Sequence, residues 1–480
     1  MGLRVQQLVG LPKALPRAYA FALSEAAAGL AALFTDPDDW RVPPPQDRAT
    51  TDARGVQVEL VRGPHVAKFD REWRELLPRA DSPNVFMQPR ILRAETVRPV
   101  VALLAWEPCR DGRRLIGIWA FSIGTPHLSV LPVTALCAPP TDHAYLSAPV
   151  IDRERLDATL HAMLDAIAEA PDLPKLIALE SMSGSGATHD ALLRVLAERG
   201  SRCWRLDAKK RPTLVRRPNA PCTPENLLSN STRKKLRQHR RRLGEHGRLE
   251  TTVVHAAADV QRAFEAFLVL EAKGWKGTRG TALLCDPNQA GFARSLVAAL
   301  ARAGDVSIHA LELDGRPVSM QVVLRAGPAV FTWKTAYDEA LGHFSPGMLL
   351  FEDYTRAFLA DPAITLVDSC AYDDTGFMAA WTDRQEVIDL WIDAQRGGSA
   401  SFAAAVCLQR AYLPLREAAK QACAHSPKLE TLLRAAFSLT RLKSGRGKSV
   451  EAGSAANGSE HRDKWAPVFR KDHASSVRAF

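Results

Sequence analysis

The densest chemistry in the chain is "RKKLRQHRRR", residues 233–242, where seven Lys or Arg and one His fill ten positions. Like charges three and four apart on a helix cost about 0.2–0.5 kcal/mol per pair, so an anionic ligand is expected to offset them, with Arg237, Arg240 and Arg241 as its contacts. A solvated face is the alternative. Nucleic acid is the least favoured partner, because no aromatic residue lies among these arginines to stack on a base. A second kind of chemistry sits in "TLVDSCAY", residues 365–372, where Asp368 interrupts an apolar strand-like run. A carboxylate removed from water is held towards its neutral form and can act as a base near neutral pH; pairing with an Arg or Lys is the alternative. Lys276 and Lys334, each beside a tryptophan (Trp275 and Trp333), could hold a phosphate or a carboxylate, or simply lay their stems on the indoles.

The helix start in "HFSPGMLLFEDYTRAFLADP", residues 343–362, offers a third possibility. Ser345 suits an N-cap and Pro346 the first helical position, while Gly347 leaves the backbone open. Such a terminus directly after a strand presents unpaired amides and a partial positive charge, which suits a pyrophosphate. A well-capped core helix is the plainer reading.

The elements that must position these residues follow a repeated rhythm. A strand (56–61), a helix (65–77), a hairpin turned at Asp111-Gly112, a helix (154–170), a strand (175–182), a helix (190–200) and a strand (211–217) make a first α/β unit ending near 218. After the basic helix, capped by Ser231 and ending near Gly247, come two helices, a hairpin turned at Asp314-Gly315, and a strand, a helix and a strand. The repetition suggests an internal duplication. On the basic helix Leu236 and Leu243 stand seven apart, so only a narrow seam can dock.

Composition sets the frame. The 480 residues suggest two to four domains, and 46% hydrophobic with 24% charged residues is ordinary for a folded soluble protein. The net charge of +10 resides mostly in the 233–242 segment. Eight scattered cysteines, with no C-x-x-C pair and no zinc spacing, read as reduced thiols in a cytoplasmic protein, and no metal is expected. The apolar stretch 18–34 is interrupted by Ser24 and Glu25 and is too short to span a membrane. P-loop, H-E-x-x-H and G-x-S-x-G elements do not occur, which argues against kinase, zincin and α/β-hydrolase readings.

In order, "EAKGWKG" (271–277), "WKTAYDEALGHFSPGMLL" (333–350), "VDSCAYDD" (367–374) and Trp381 resemble the GNAT-fold acyltransferases of the cellulose-biosynthesis type. "NVFMQPRIL" (84–92) and "DHAYLSAPVID" (142–152) are similar to the N-terminal repeat of that family, so the likeness runs from about 56 to 395. The resemblance implies an α/β fold with a mixed sheet: two tandem GNAT-like domains, 55–217 and 218–396, with helical N- and C-terminal extensions. The extensions are a helix and Pro-rich linker over 1–54 and a helical region over 397–440; the apolar-poor 441–480 reads as a disordered tail.

The resemblance further implies acetyl-CoA or another acyl-CoA as co-substrate, and a sheet splayed open between the strands at 329–338 and 364–372. It sets the CoA pyrophosphate at the amides following Phe344 to Gly347, with His343, Phe344, Ser345, Gly347 and Met348 around it. "GHFSPG" departs from the family's Gln/Arg-x-x-Gly-x-Gly/Ala loop, having one fewer glycine and no Arg; His343 either supplies the missing donor or faces solvent. Acyl transfer needs a proton acceptor and stabilisation of an oxyanion. The candidate acids and bases are Glu271, Asp338, Asp368, Tyr372 and Asp373, with Asp368 favoured as base and Tyr372 as proton donor to the leaving thiolate. The expected activity is N- or O-acyl transfer to a small-molecule or glycan acceptor, such as an exopolysaccharide or other cell-envelope precursor. The doubled Fem-type aminoacyltransferases, which draw on charged tRNA, and a non-catalytic anion- or nucleic-acid-binding module are the rival readings.

Overall fold

The computed structural model describes residues 48–51, 55–95, 99–110, 112–126, 129, 133–217, 227–372, 374 and 376–425. The N-terminal helix expected within 1–54, most of the linker after it, the end of the helical region expected over 397–440 and the whole of the tail expected over 441–480 lie outside these residues.

The strands are β1 (Arg48–Thr51), β2 (Gln57–Arg62), β3 (Val100–Cys109), β4 (Gly112–Gly124), β5 (Ala135–Ala138), β6 (Val150–Ile151), β7 (Leu176–Ser183) and β8 (Cys203–Val215), followed by β9 (Leu249–Val254), β10 (Val306–Leu313), β11 (Arg316–Ala326), β12 (Ala329–Tyr337), β13 (Leu366–Asp368) and β14 (Asp383–Asp393). The helices are α1 (Asp70–Leu76), α2 (Pro89–Ala94), α3 (Leu156–Glu169), α4 (Ala187–Arg199), α5 (Asn230–Gly244), α6 (Ala257–Lys273), α7 (Trp275–Thr278), α8 (Pro287–Ala303), α9 (Pro346–Ala360) and α10 (Ala400–His425). The residues up to Phe402 form one compact unit, and the rest of α10 belongs to a second. Among the described residues no helix is long and apolar enough to cross a membrane.

The strands join in one mixed sheet of order β1-β2-β3-β4-β5-β7-β14-β8-β13-β12-β11-β10-β9, with β6 on β4. Read inwards from its two ends, the sheet repeats itself. β2 to β5 and β9 to β12 are antiparallel meanders, each meander then gains a parallel neighbour (β7 on β5, β13 on β12), and each of those meets an antiparallel strand (β14 and β8). The expected duplication is therefore visible in strand order and direction.

The last strand of each series comes from the other half of the chain. β8, on which the first unit was expected to end, pairs with β13 and β14, while β14 pairs with β7. β14 was missed in the sequence and β8 begins eight residues before the strand expected at 211. Both alternate polar and apolar residues along only part of their length, with burial confined to one end of each.

The cores follow from the same periodicities. In the first half Trp73, Trp119, Phe121, the leucines of α3 and Leu192 and Leu196 of α4 fill one apolar cluster. In the second half one face of the meander carries α6 and α8, and Phe86 and Ile91 from the first half join that cluster. The other face carries α9 and the two leucines of α5, with Trp381 fully buried and its indole N–H donating to Thr355 Oγ1 at 3.1 Å. The expected hairpin turn is present: Asp314 and Gly315 both have positive φ, 51° and 73°, as a two-residue turn matched to strand twist requires.

Candidate functional site

β12 and β13 run in parallel register for three residues only, Ala329 with Leu366, Val330 with Val367 and Phe331 with Asp368. The parting has identifiable causes. Cys370 takes a left-handed φ of 52° and its N–H donates to Asp368 Oδ1 at 2.7 Å, turning the chain sharply. Arg211 of β8 then donates from Nε to Ala371 O at 2.8 Å, drawing the chain towards β8 and away from β12. The last stitch across the opening is Thr332 Oγ1, which donates to Ser369 O at 2.9 Å. β12 continues to Tyr337 paired only with β11, and it carries a bulge: Lys334 faces Val322 and Thr332 faces Val323, so Trp333 is the extra residue.

A loop of the first half closes one side of the opening. Trp333 donates from its indole to His143 O at 2.7 Å, Arg211 Nη1 donates to Tyr145 O at 2.8 Å, and Lys334 Nζ lies 3.3 Å from His143 Nδ1. The Lys334 ammonium also stands 5.6 Å from the ring centres of Tyr145 and Trp333. Of the lysines and arginines named from the sequence, Lys334 is the one that sits in the opening.

The carboxylates behave differently from the sequence expectation. Asp368 is 1% exposed, but it is not alone in an apolar strand: the equally buried Arg211 reaches it at 3.4 Å. The pairing alternative is the one observed, because burying a lone charge costs more than burying a paired one. Glu271 is likewise a buried staple. Its Oε1 accepts from Lys276 Nζ at 2.8 Å and its Oε2 from the Leu283 amide at 2.9 Å, fixing the segment after α6. Lys276, which also reaches Thr335 O at 3.3 Å, is thereby committed to Glu271 rather than to a ligand. Trp275 is half exposed with the Arg279 guanidinium 5.0 Å over its ring, and its amide donates to Glu339 Oε1 at 2.7 Å. Asp338 accepts from the Ala340 amide at 3.0 Å as a cap, and Asp373 lies outside the described residues.

Tyr372 is 55% exposed, with the Lys209 ammonium 3.8 Å from its ring centre. Burial pulls the Lys209 ammonium down, but the Tyr372 hydroxyl and the carboxylates of Asp389 and Asp207 outweigh it and raise the net pKa. Lys209 and Arg211, two apart on β8, were both missed. A basic pair before a proline gives no sequence signal that one member is 1% exposed. Burial pushes the Cys370 thiol, beside Asp368, well above the ordinary range and also raises Cys203. Among the described residues no group of His, Cys, Asp and Glu could hold a metal ion.

The loop from β12 to α9 is tighter than expected. Ser345 is the N-cap residue, yet it lies at φ 53°, and its hydroxyl makes no capping bond. Its carbonyl does the work instead, accepting from the Met348 and Leu349 amides at 3.0 and 3.1 Å. Pro346 has no N–H, so Gly347 is the residue in this turn whose amide finds no main-chain acceptor among the described residues. Space stands open beside it, since a Cβ added there would meet nothing closer than Tyr337 Cδ1 at 3.8 Å. A diphosphate therefore fits here against one amide and the helix dipole rather than against several amides. His343 is exposed and lies 3.9 Å from the Phe344 ring; Phe344 is buried against His246, 5.4 Å away, as an anchor of the loop. Met348 packs at the edge of the cluster beneath α9.

α5 docks by Leu236 and Leu243, as the spacing predicts, and Ser229 rather than Ser231 caps it, accepting from the Thr232 amide at 3.2 Å. Arg240 turns to the body, donating to Asp353 Oδ1 at 2.7 Å and to Leu349 O at 3.2 Å, so it ties α5 to α9. Arg237 and Arg241 stay exposed beside a shallow depression of about 550 Å3.

No curated protein matches the chain. Among solved structures, "FemX" is 12% identical over 67% of this chain and 95% of its own, with a TM-score of 0.46. The C-terminal domain of a candidate lysylphosphatidylglycerol synthetase from Agrobacterium fabrum is 14% identical over 72% and 97%, at 0.43. A tandem GNAT protein from the clavulanic acid biosynthesis pathway is 15% identical over 70% and 98%, at 0.36. Residues 230–375, which run from the start of α5 past the parting of β12 and β13, match the family model described as an acetyltransferase (GNAT) domain.

Proposed function

We propose that the protein is a GNAT-type acyltransferase that moves an acetyl or longer acyl group from acyl-CoA to an amine or hydroxyl of an acceptor, in the cytoplasm, with an exopolysaccharide or other cell-envelope precursor as the acceptor class. One observation carries the reading: β12 and β13 separate after three paired residues, and the open amide of Gly347 follows one loop later. A pantetheine arm can lie along the unpartnered edge of β12 while the diphosphate meets the start of α9. The acceptor attacks the thioester carbonyl and gives up its N–H or O–H proton to water in the opening, the C–S bond breaks, and the leaving thiolate takes a proton. Tyr372 is the candidate donor of that proton, with Lys209 against its ring, and Lys334 is the candidate contact for a phosphate or a carboxylate of the acceptor. Asp368 and Arg211 hold the parting open and act as positioning residues.

Calorimetry with acetyl-CoA tests the assignment. The wild type should bind, and Gly347→Glu should not, because the new carboxylate enters the space where the diphosphate would lie; the room beside Gly347 lets the variant fold. Equal binding by both proteins removes the assignment. The doubled sheet with exchanged strands supports a Fem-type, aminoacyl-tRNA-dependent transferase as a second reading. That enzyme would lose its activity on ribonuclease treatment, and an acyl-CoA enzyme would not.

A further inference from the structure

α5 carries more uncompensated charge than its packing requires. Leu236 and Leu243 face the body, and at 100° per residue Lys234, Arg237 and Arg241 fall within one arc of about 60° on the opposite side. All three are exposed, as is Arg242 on the flank. Among the described residues Lys234, Arg237 and Arg242 make no ion pair, and Arg241 meets only Glu245, at 3.9 Å. Along the helix axis the three outward cations are about 4.5 and 6 Å apart.

This face is shaped for a surface rather than for a single small molecule. A small-ligand site buries most of its ligand in a cleft with fixed polar groups. The depression here is lined by Arg237, Arg240, Arg241, Gly244 and Glu245, none of them buried. It contains no aromatic residue on which a base could stack. The outward arc is free of apolar side chains that would dock a protein or insert into hydrocarbon. A convex row of flexible cations is complementary to a planar array of phosphate headgroups.

We propose that the outward face of α5 docks the protein on the surface of an anionic lipid bilayer. Arg240 binds Leu349 O and Asp353, so α5 is braced against the first turns of α9 and docking would hold the acyl-transfer opening next to the membrane. An acceptor carried by the bilayer would then be in reach; this last clause rests on the proposed acyl transfer, whereas the docking does not.

The test is co-sedimentation of the full-length protein with vesicles of phosphatidylcholine alone and of equimolar phosphatidylcholine and phosphatidylglycerol, which needs no acyl donor and so fails or succeeds independently of the acyltransferase reading. The protein should partition to the anionic vesicles only, and less as salt is raised. Each cation near an anionic surface contributes about fivefold, so the triple variant Lys234→Glu, Arg237→Glu, Arg241→Glu should lose at least about a hundredfold in partitioning while keeping its circular dichroism and thermal midpoint. Should that variant misfold, Arg237→Gln with Arg241→Gln should still lose about twentyfold. Failure to bind either vesicle, equal binding to both, undiminished binding by a folded variant, or binding of single-stranded RNA with none to vesicles would each overturn the proposal.

Discussion

Arg211 determines what Asp368 can do. The two side chains, 157 positions apart and each 1% exposed, form a buried pair with three carbonyl and amide contacts around it. Removing one charge from such a pair leaves the other uncompensated, which typically costs about 3–5 kcal/mol. Asp368→Asn is therefore expected to lower the unfolding free energy by about 3 kcal/mol in urea titration. Unchanged stability with turnover abolished would return Asp368 to the role of a base. Glu271 illustrates the same limit: the sequence marks a carboxylate near a family-like motif, and only the contacts with Lys276 and Leu283 show that both its oxygens are used. Lys334 differs in that its place beside a tryptophan left ligand contact and packing on the indole both open, and the ammonium lies against His143 and between the rings of Tyr145 and Trp333.

At the scale of elements, helices and hairpins were legible because their signals are local. α5 shows this well: leucines seven apart predict a two-residue seam, and Leu236 and Leu243 are its buried residues. Leu243 is fully buried, so Leu243→Ala should destabilise by about 3 kcal/mol, with faster amide exchange in α5 than in α9. Loss of protection spread evenly over the whole protein would show that α5 is not a separately docked element. β13 was harder to foresee. Its apolar run promises a strand of ordinary length, but Cys370 in a left-handed conformation and the pull of Arg211 stop it after three residues. The opening beside β12 is the consequence of that early stop.

At the scale of the molecule, the two series of strands are interlocked. β8 leaves the first series to pair with β13, and β14 returns from the end of the compact unit to pair with β7. Cutting at the expected boundary near 218 would leave β7 without its antiparallel neighbour and β8 without either of its own. The fragment 55–217 is expected to show no cooperative urea transition, whereas the full chain should lose its sheet signal in one transition. A fragment that unfolds cooperatively by circular dichroism would mean that each half completes its own sheet. The exchange also explains why Arg211 can reach Asp368 at all, because β8 lies directly beside β13.

Most helices and strands other than β14, the duplicated rhythm, the turn at Asp314-Gly315 and the narrow seam of the basic helix can be read from the residues alone. The turn and the seam depend on residues within one hairpin or about two helical turns of each other, where periodicity and turn stereochemistry act directly, and the rhythm is the succession of such local signals. Which charges are paired, which strands change places and which amide of the α9 turn stays open are settled by the folded chain. Those outcomes depend on side chains and strands far apart in the chain meeting across one sheet, and no local pattern records such a meeting.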